Sequence, residues 1–194
     1  MVFNFHIPKL ATWAAIGLIY VPIVNAASTK EEGMQLGGSV PDICLLAAPV
    51  SNGGGVNAQF QSGTEDNSQV LITSLANEES GVLNPASITL DFNGTCNFAH
   101  SVILTSSSGG LRNEIADINS GGFTSLGIYA ATMNWNGLSE SLTLNGQEGA
   151  FATLSQISAN SGVLTLSVDI PGGGSPLVAG TYSDVLTIEF GGTL

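Results

Sequence analysis

Two histidines occur in the chain, His6 and His100, and only His100 lies beyond an N-terminal apolar leader. Base catalysis needs that imidazole to meet a nucleophile and an orienting carboxylate. No Gly-x-Ser-x-Gly elbow is present to supply a strained serine. His100 follows Cys96-Asn97-Phe98-Ala99 at the expected start of a strand, and a lone histidine there reads as a structural or surface residue. Carboxylates pair at Glu31-Glu32, Glu65-Asp66 and Glu78-Glu79. Neighbours on a strand point to opposite faces, so no such pair gives an acid and a base facing one substrate. They read as solvated loop charge. Glu65 and Asp66 with nearby carbonyls are the one calcium candidate, without the spaced acidic loop of an EF-hand. No glycine cluster is followed by a lysine opening a helix, which excludes a phosphate-cradling loop. The expectation is a protein that is not an enzyme and holds no cofactor or metal.

Phe123, Tyr129, Trp135 and Tyr182 could form an aromatic platform for a sugar, or they could fill a core, the commoner use of such rings. Cys44 and Cys96 are the only cysteines, and neither has a ligand-spaced cysteine or histidine beside it. In an exported chain an even count reads as a disulfide, the alternative being two buried thiols.

Export is the expectation from residues 1–26. A weakly basic start (His6, Lys9) precedes an apolar run from Leu10 to Val24, and Val24-Asn25-Ala26-Ala27 offers a small-residue cleavage site. A retained anchor is the competing reading, but the run is shorter than the roughly 20 residues a spanning helix needs. Cleavage would leave Lys30 and Arg112 as the only basic residues against 15 acidic ones. A surface of that sign repels nucleic acid and anionic membrane. The expected layout is a signal at 1–26, an extension at 27–39 and one domain at 40–194.

Alternation dominates that domain. Ile88, Leu90 and Phe92 alternate with Ser87, Thr89 and Asp91; Leu164, Leu166, Val168 and Ile170 alternate with Val163, Thr165, Ser167 and Asp169. Both segments read as half-buried antiparallel strands. Further strands are expected at residues 40–47, 69–75, 101–106, 127–135, 141–144 and 150–154, with one helical turn near 111–118. Asn136-Gly137 and Asn145-Gly146 are hairpin-turn dipeptides, so three successive strands should form a meander. About eight short strands with 25 glycines argue for an all-β antiparallel sandwich, although alternation does not report closure and a small barrel satisfies it too. The last strand, Ala179 to Phe190, places Tyr182, Leu186, Ile188 and Phe190 at one parity.

Four segments, Gly38-Ser39-Val40-Pro41-Asp42-Ile43-Cys44, Phe92-Asn93-Gly94-Thr95-Cys96-Asn97, Leu104-Thr105-Ser106 with Gly109-Gly110-Leu111, and Ala179-Gly180-Thr181-Tyr182-Ser183-Asp184, carry a resemblance. Together they resemble the spore coat protein U family, which includes pilus subunits of the archaic chaperone-usher type. The resemblance implies an immunoglobulin-like sandwich lacking its last strand, completed by a periplasmic chaperone and then by the N-terminal strand of the next subunit. It implies that Tyr182, Leu186, Ile188 and Phe190 border the groove and that Cys44–Cys96 ties the first strand to a later one. A donor would come from the residues before Cys44, with Met34, Leu36 and Val40 as the alternating apolar set. Relative to that family, residues 51–68 read as an insertion. The functional expectation is an exported structural subunit of a pilus-like or surface assembly of a Gram-negative-type cell. Its partners would be chaperone, usher and sister subunits, in the periplasm, at the surface or outside. A secreted carbohydrate- or calcium-binding module is the alternative.

Overall fold

A computed structural model describes residues 32–63, 68–115 and 121–192. The expected signal, residues 1–26, lies outside the described residues, as do Glu65 and Asp66. The chain divides into Met1–Ser39 and Val40–Leu194. In the first unit, the described residues 32–39 form no strand and are exposed, Met34 and Leu36 among them.

Among its described residues the second unit is all-β, with fourteen strands: β1 (Cys44–Leu46), β2 (Val50–Ser51), β3 (Ala58–Gln61), β4 (Gln69–Ile72), β5 (Ala86–Cys96), β6 (His100–Ser106), β7 (Leu111–Asn113), β8 (Leu126–Gly127), β9 (Tyr129–Trp135), β10 (Leu138–Leu144), β11 (Phe151–Gln156), β12 (Asn160–Ile170), β13 (Tyr182–Ser183) and β14 (Leu186–Gly192). The large sheet runs β1-β5-β12-β9-β10, with β2 beside β1 on the same edge of β5. The facing sheet runs β11-β6-β14, and all these pairings are antiparallel. Two smaller sheets, β13-β7-β8 and β3-β4, complete the β-sandwich.

Period-two patterning sets the core. Ile88, Leu90, Phe92, Leu164, Leu166, Ala131, Met133 and Trp135 point inward from the large sheet, while Val102, Leu104, Ala152 and Leu154 meet them from the other. The polar alternates face water and pair across strands: Thr132 with Ser141 at 2.6 Å, Thr95 with Ser161 at 2.7 Å. At the β9–β10 hairpin Asn136 and Gly137 both take positive φ, 51° and 77°, as a type I′ turn requires.

Two expectations are corrected. The meander stops after β10: at Asn145-Gly146 the chain leaves the large sheet, and β11 pairs with β6 instead. Leu142 and Leu144 already fill the inner face of their sheet, and Gly146, its N–H donating to Gly109 O, turns the chain across to the other layer. The helical turn near 111–118 is not formed at its start, because Leu111 and Arg112 pair with β8 while Arg112 and Asn113 pair with β13, and residues 116–118 lie outside the described residues. Within the segment read as an insertion, 51–68, the described residues include β3, which pairs with β4, and Val56, which bridges to Ser87.

Candidate functional site

The C-terminal strand forms the site, and it begins with a break. Tyr182 and Leu186 share a parity, yet they sit on different strands: Tyr182 pairs with Asn113, Leu186 with Ser106. Tyr182 therefore does not border the edge formed by Leu186, Ile188 and Phe190. Its ring is half-buried and its hydroxyl donates to Val178 O at 2.8 Å.

Asp184 causes the break. Its Oδ2 accepts from the Ser106 hydroxyl at 2.6 Å, the Tyr129 hydroxyl at 2.7 Å and Gly110 N–H at 3.2 Å. Oδ1 accepts from Val185 N–H at 2.8 Å, Ser108 N–H at 2.9 Å and the Ser107 hydroxyl at 3.1 Å. One carboxylate thus closes the 106–110 turn and aims the chain from β13 into β14. Burial, and then the Asp184 carboxylate that accepts its proton, push the Tyr129 phenol far above its ordinary range. This group is a structural hub, because every donor on it belongs to the fold.

Beyond the hub β14 lies at the outer edge of its sheet. Ser107 N–H donates to Val185 O, whereas Ser106 N–H turns away from β14 and donates to Ala150 O. In an antiparallel ladder these roles alternate, so Thr187 and Glu189 bond to β6 while Leu186, Ile188 and Phe190 direct N–H and C=O to the outer edge. No backbone partner meets that edge among the described residues. The same three side chains point inward and pack on the core while only half-buried. Main-chain ladder and apolar row therefore coincide on one open flank, with β1 alongside.

Phe190 anchors the far end. Its ring lies 5.1 Å from Trp135 and 5.4 Å from His100 between centroids, over Gly94, where a Cβ would come within 2.8 Å of it. His100 is fully buried: Nδ1 sits 2.9 Å from Phe98 O and Nε2 accepts the Trp135 indole N–H at 3.0 Å. With Nε2 accepting, Nδ1 is the ring nitrogen that donates, to Phe98 O. Cys44 and Cys96 form a disulfide joining β1 to β5. Gly191, at φ 104°, passes so close that a Cβ there would lie 2.7 Å from Cys44 Sγ. Ligand atoms of Cys44, Cys96 and His100 fall within 4.8 Å of one another, but the sulfurs are bonded to each other and both ring nitrogens are engaged.

The four aromatic residues considered for a sugar platform or for the core do not converge on one surface. Trp135 and Tyr129 are buried, Phe123 is exposed, and Tyr182 is held by its own loop. Met34, Leu36 and Val40 are exposed and lie in no strand. Asp184 and the edge polarity of β14 were missed from sequence; the only trace was an aspartate interrupting the alternation. Among the described residues, no helix is long and apolar enough to cross a membrane. A scan against protein-family models and a search of curated proteins both find no match to this chain.

Proposed function

We propose that the chain is an exported structural subunit that assembles by accepting a β-strand on the outer edge of β14. The observation that carries this reading is the coincidence at Leu186, Ile188 and Phe190: the residues whose main-chain groups are unpaired are those whose side chains lead into the core. An incoming strand would gain ladder hydrogen bonds and core contacts in one step, the physics of β-augmentation. The disulfide suits an oxidising compartment, and the leader-like residues 1–26 suit export to it. The resemblance to spore coat protein U proteins supports the same reading, with Met34, Leu36 and Val40 as the donor set and a periplasmic chaperone and usher as assembly partners.

The test is to export the chain to an oxidising periplasm, then follow thermal unfolding with and without a peptide spanning residues 27–40. Peptide at 100 times its dissociation constant should stabilise the protein by about 2.7 kcal/mol. Ile188→Asp should abolish the shift. A melting temperature indifferent to the peptide in both proteins sinks the proposal.

A further inference from the structure

The β11-β6-β14 sheet has a second outer edge, β11, and it is built differently. Ser106 N–H donates to Ala150 O, so Ala152, Leu154 and Gln156 carry the hydrogen bonds to β6. Phe151, Thr153 and Ser155 direct their main-chain groups outward, with Ile157 next in the same parity beyond the strand; β10 runs alongside, but among the described residues no backbone hydrogen bond joins it to them. Their side chains are exposed, Phe151 at 67 % and Ile157 at 86 %.

Natural edges are blunted by lysine, proline, bulges or inward charge. Phe151–Ile157 has none of these, and it carries no charge in a chain whose net charge is −12. Two copies repel over most of their surface, so an uncharged strand edge is where they can approach.

We propose that β11 pairs with β11 of a second copy, antiparallel, about a two-fold axis through Leu154. Outward residues can pair only with outward residues. The register centred on Leu154 sets Phe151 opposite Ile157 of the second copy and Thr153 opposite its Ser155. Both exposed apolar side chains are then covered, twice over by symmetry. Thr153 and Ser155 repeat the cross-strand hydroxyl pairs already present at Thr132–Ser141 and Thr95–Ser161. Glu148, the acidic residue just before the strand, falls opposite Asn160 rather than another acid. A register centred on Thr153 would set Phe151 against Ser155 and leave Ile157 without an apolar neighbour directly opposite. The product is a six-stranded sheet across two copies with a β14 edge free at each end. It stands whether or not β14 accepts a strand.

Analytical ultracentrifugation of the exported chain should show a monomer–dimer equilibrium in the micromolar range, as suits an interface below the standard size. Thr153→Lys replaces an exposed side chain, so it should leave thermal unfolding unchanged and abolish the dimer. Mild oxidation of the double variant T153C/S155C should link two chains through both positions, while T153C alone should not cross-link. A wild-type protein monomeric at every concentration overturns the proposal, as does a dimer that persists in Thr153→Lys. Cross-linking of T153C as efficient as that of the double variant overturns the two-fold through Leu154.

Discussion

Tyr129 and Asp184 are 55 residues apart in sequence and 2.7 Å apart in space, the phenol of one sheet donating to the carboxylate that starts the last strand of the other. The bond spans the two layers of the sandwich at the point where β13 gives way to β14. It couples the start of the open edge to the buried face of β9, so the edge inherits rigidity from the core rather than from its own neighbours.

Alkaline stability should report that bond. The folded phenol is raised above its unfolded value of about 10, so the native state holds a proton that the unfolded chain releases. The contribution is full below about pH 10 and is lost as pH rises past it. Denaturant unfolding across pH 8 to 11.5 should show stability falling at the top of the range. Tyr129→Phe should flatten that fall and cost about 1–2 kcal/mol at neutral pH. An identical alkaline slope in both proteins would refute the assignment.

Gly191 should resist replacement. Its φ of 104° suits no L side chain, and a Cβ there would stand 2.6 Å from Cys44 Cβ. Gly191→Ala should cost about 1–3 kcal/mol from backbone strain alone, more from the collision. Gly162, exposed and with nothing near its Cβ position, is the control and should tolerate alanine far better. Equal losses at the two positions would contradict the close passage.

His100 and Trp135 should behave as a unit. His100→Phe leaves the buried indole N–H without its acceptor, costing about 1–3 kcal/mol. Trp135→Phe leaves the Nε2 lone pair unfilled. The double variant should lose less than the sum of the singles, since removing both partners removes the unsatisfied group. Strict additivity in a double-mutant cycle would show that the hydrogen bond carries no energy.

Long alternation was legible from sequence because each residue declares its own face: β5 and β12 run eleven residues each, with small polar side chains mostly outward, Val163 excepted, and apolar ones inward. Asn136-Gly137 was legible because it demands a backbone conformation few other residues accept. Asn145-Gly146 misled for the same reason. Turn chemistry fixes local φ, not whether the next strand pairs back or changes layer. β7 and β13, three and two residues long, exist only through partners distant in sequence. Asp184 was silent because four of its donors are supplied by the 106–110 turn, 74 or more residues earlier. The apolar row of the edge was readable at Leu186, Ile188 and Phe190, whereas the direction of their N–H groups follows from the pairing with β6 and no single sequence encodes it.

The Cys44–Cys96 link also has a mechanical meaning. Tension entering the domain from the Val40 side reaches Cys44 and crosses directly to β5, so the 52-residue separation between the two cysteines is spanned by one covalent bond. About 180 Å of extended chain is withheld from any stretch while that bond is intact. Oxidation of one cysteine pair would thus set how far the domain can lengthen under load before its sheets give way.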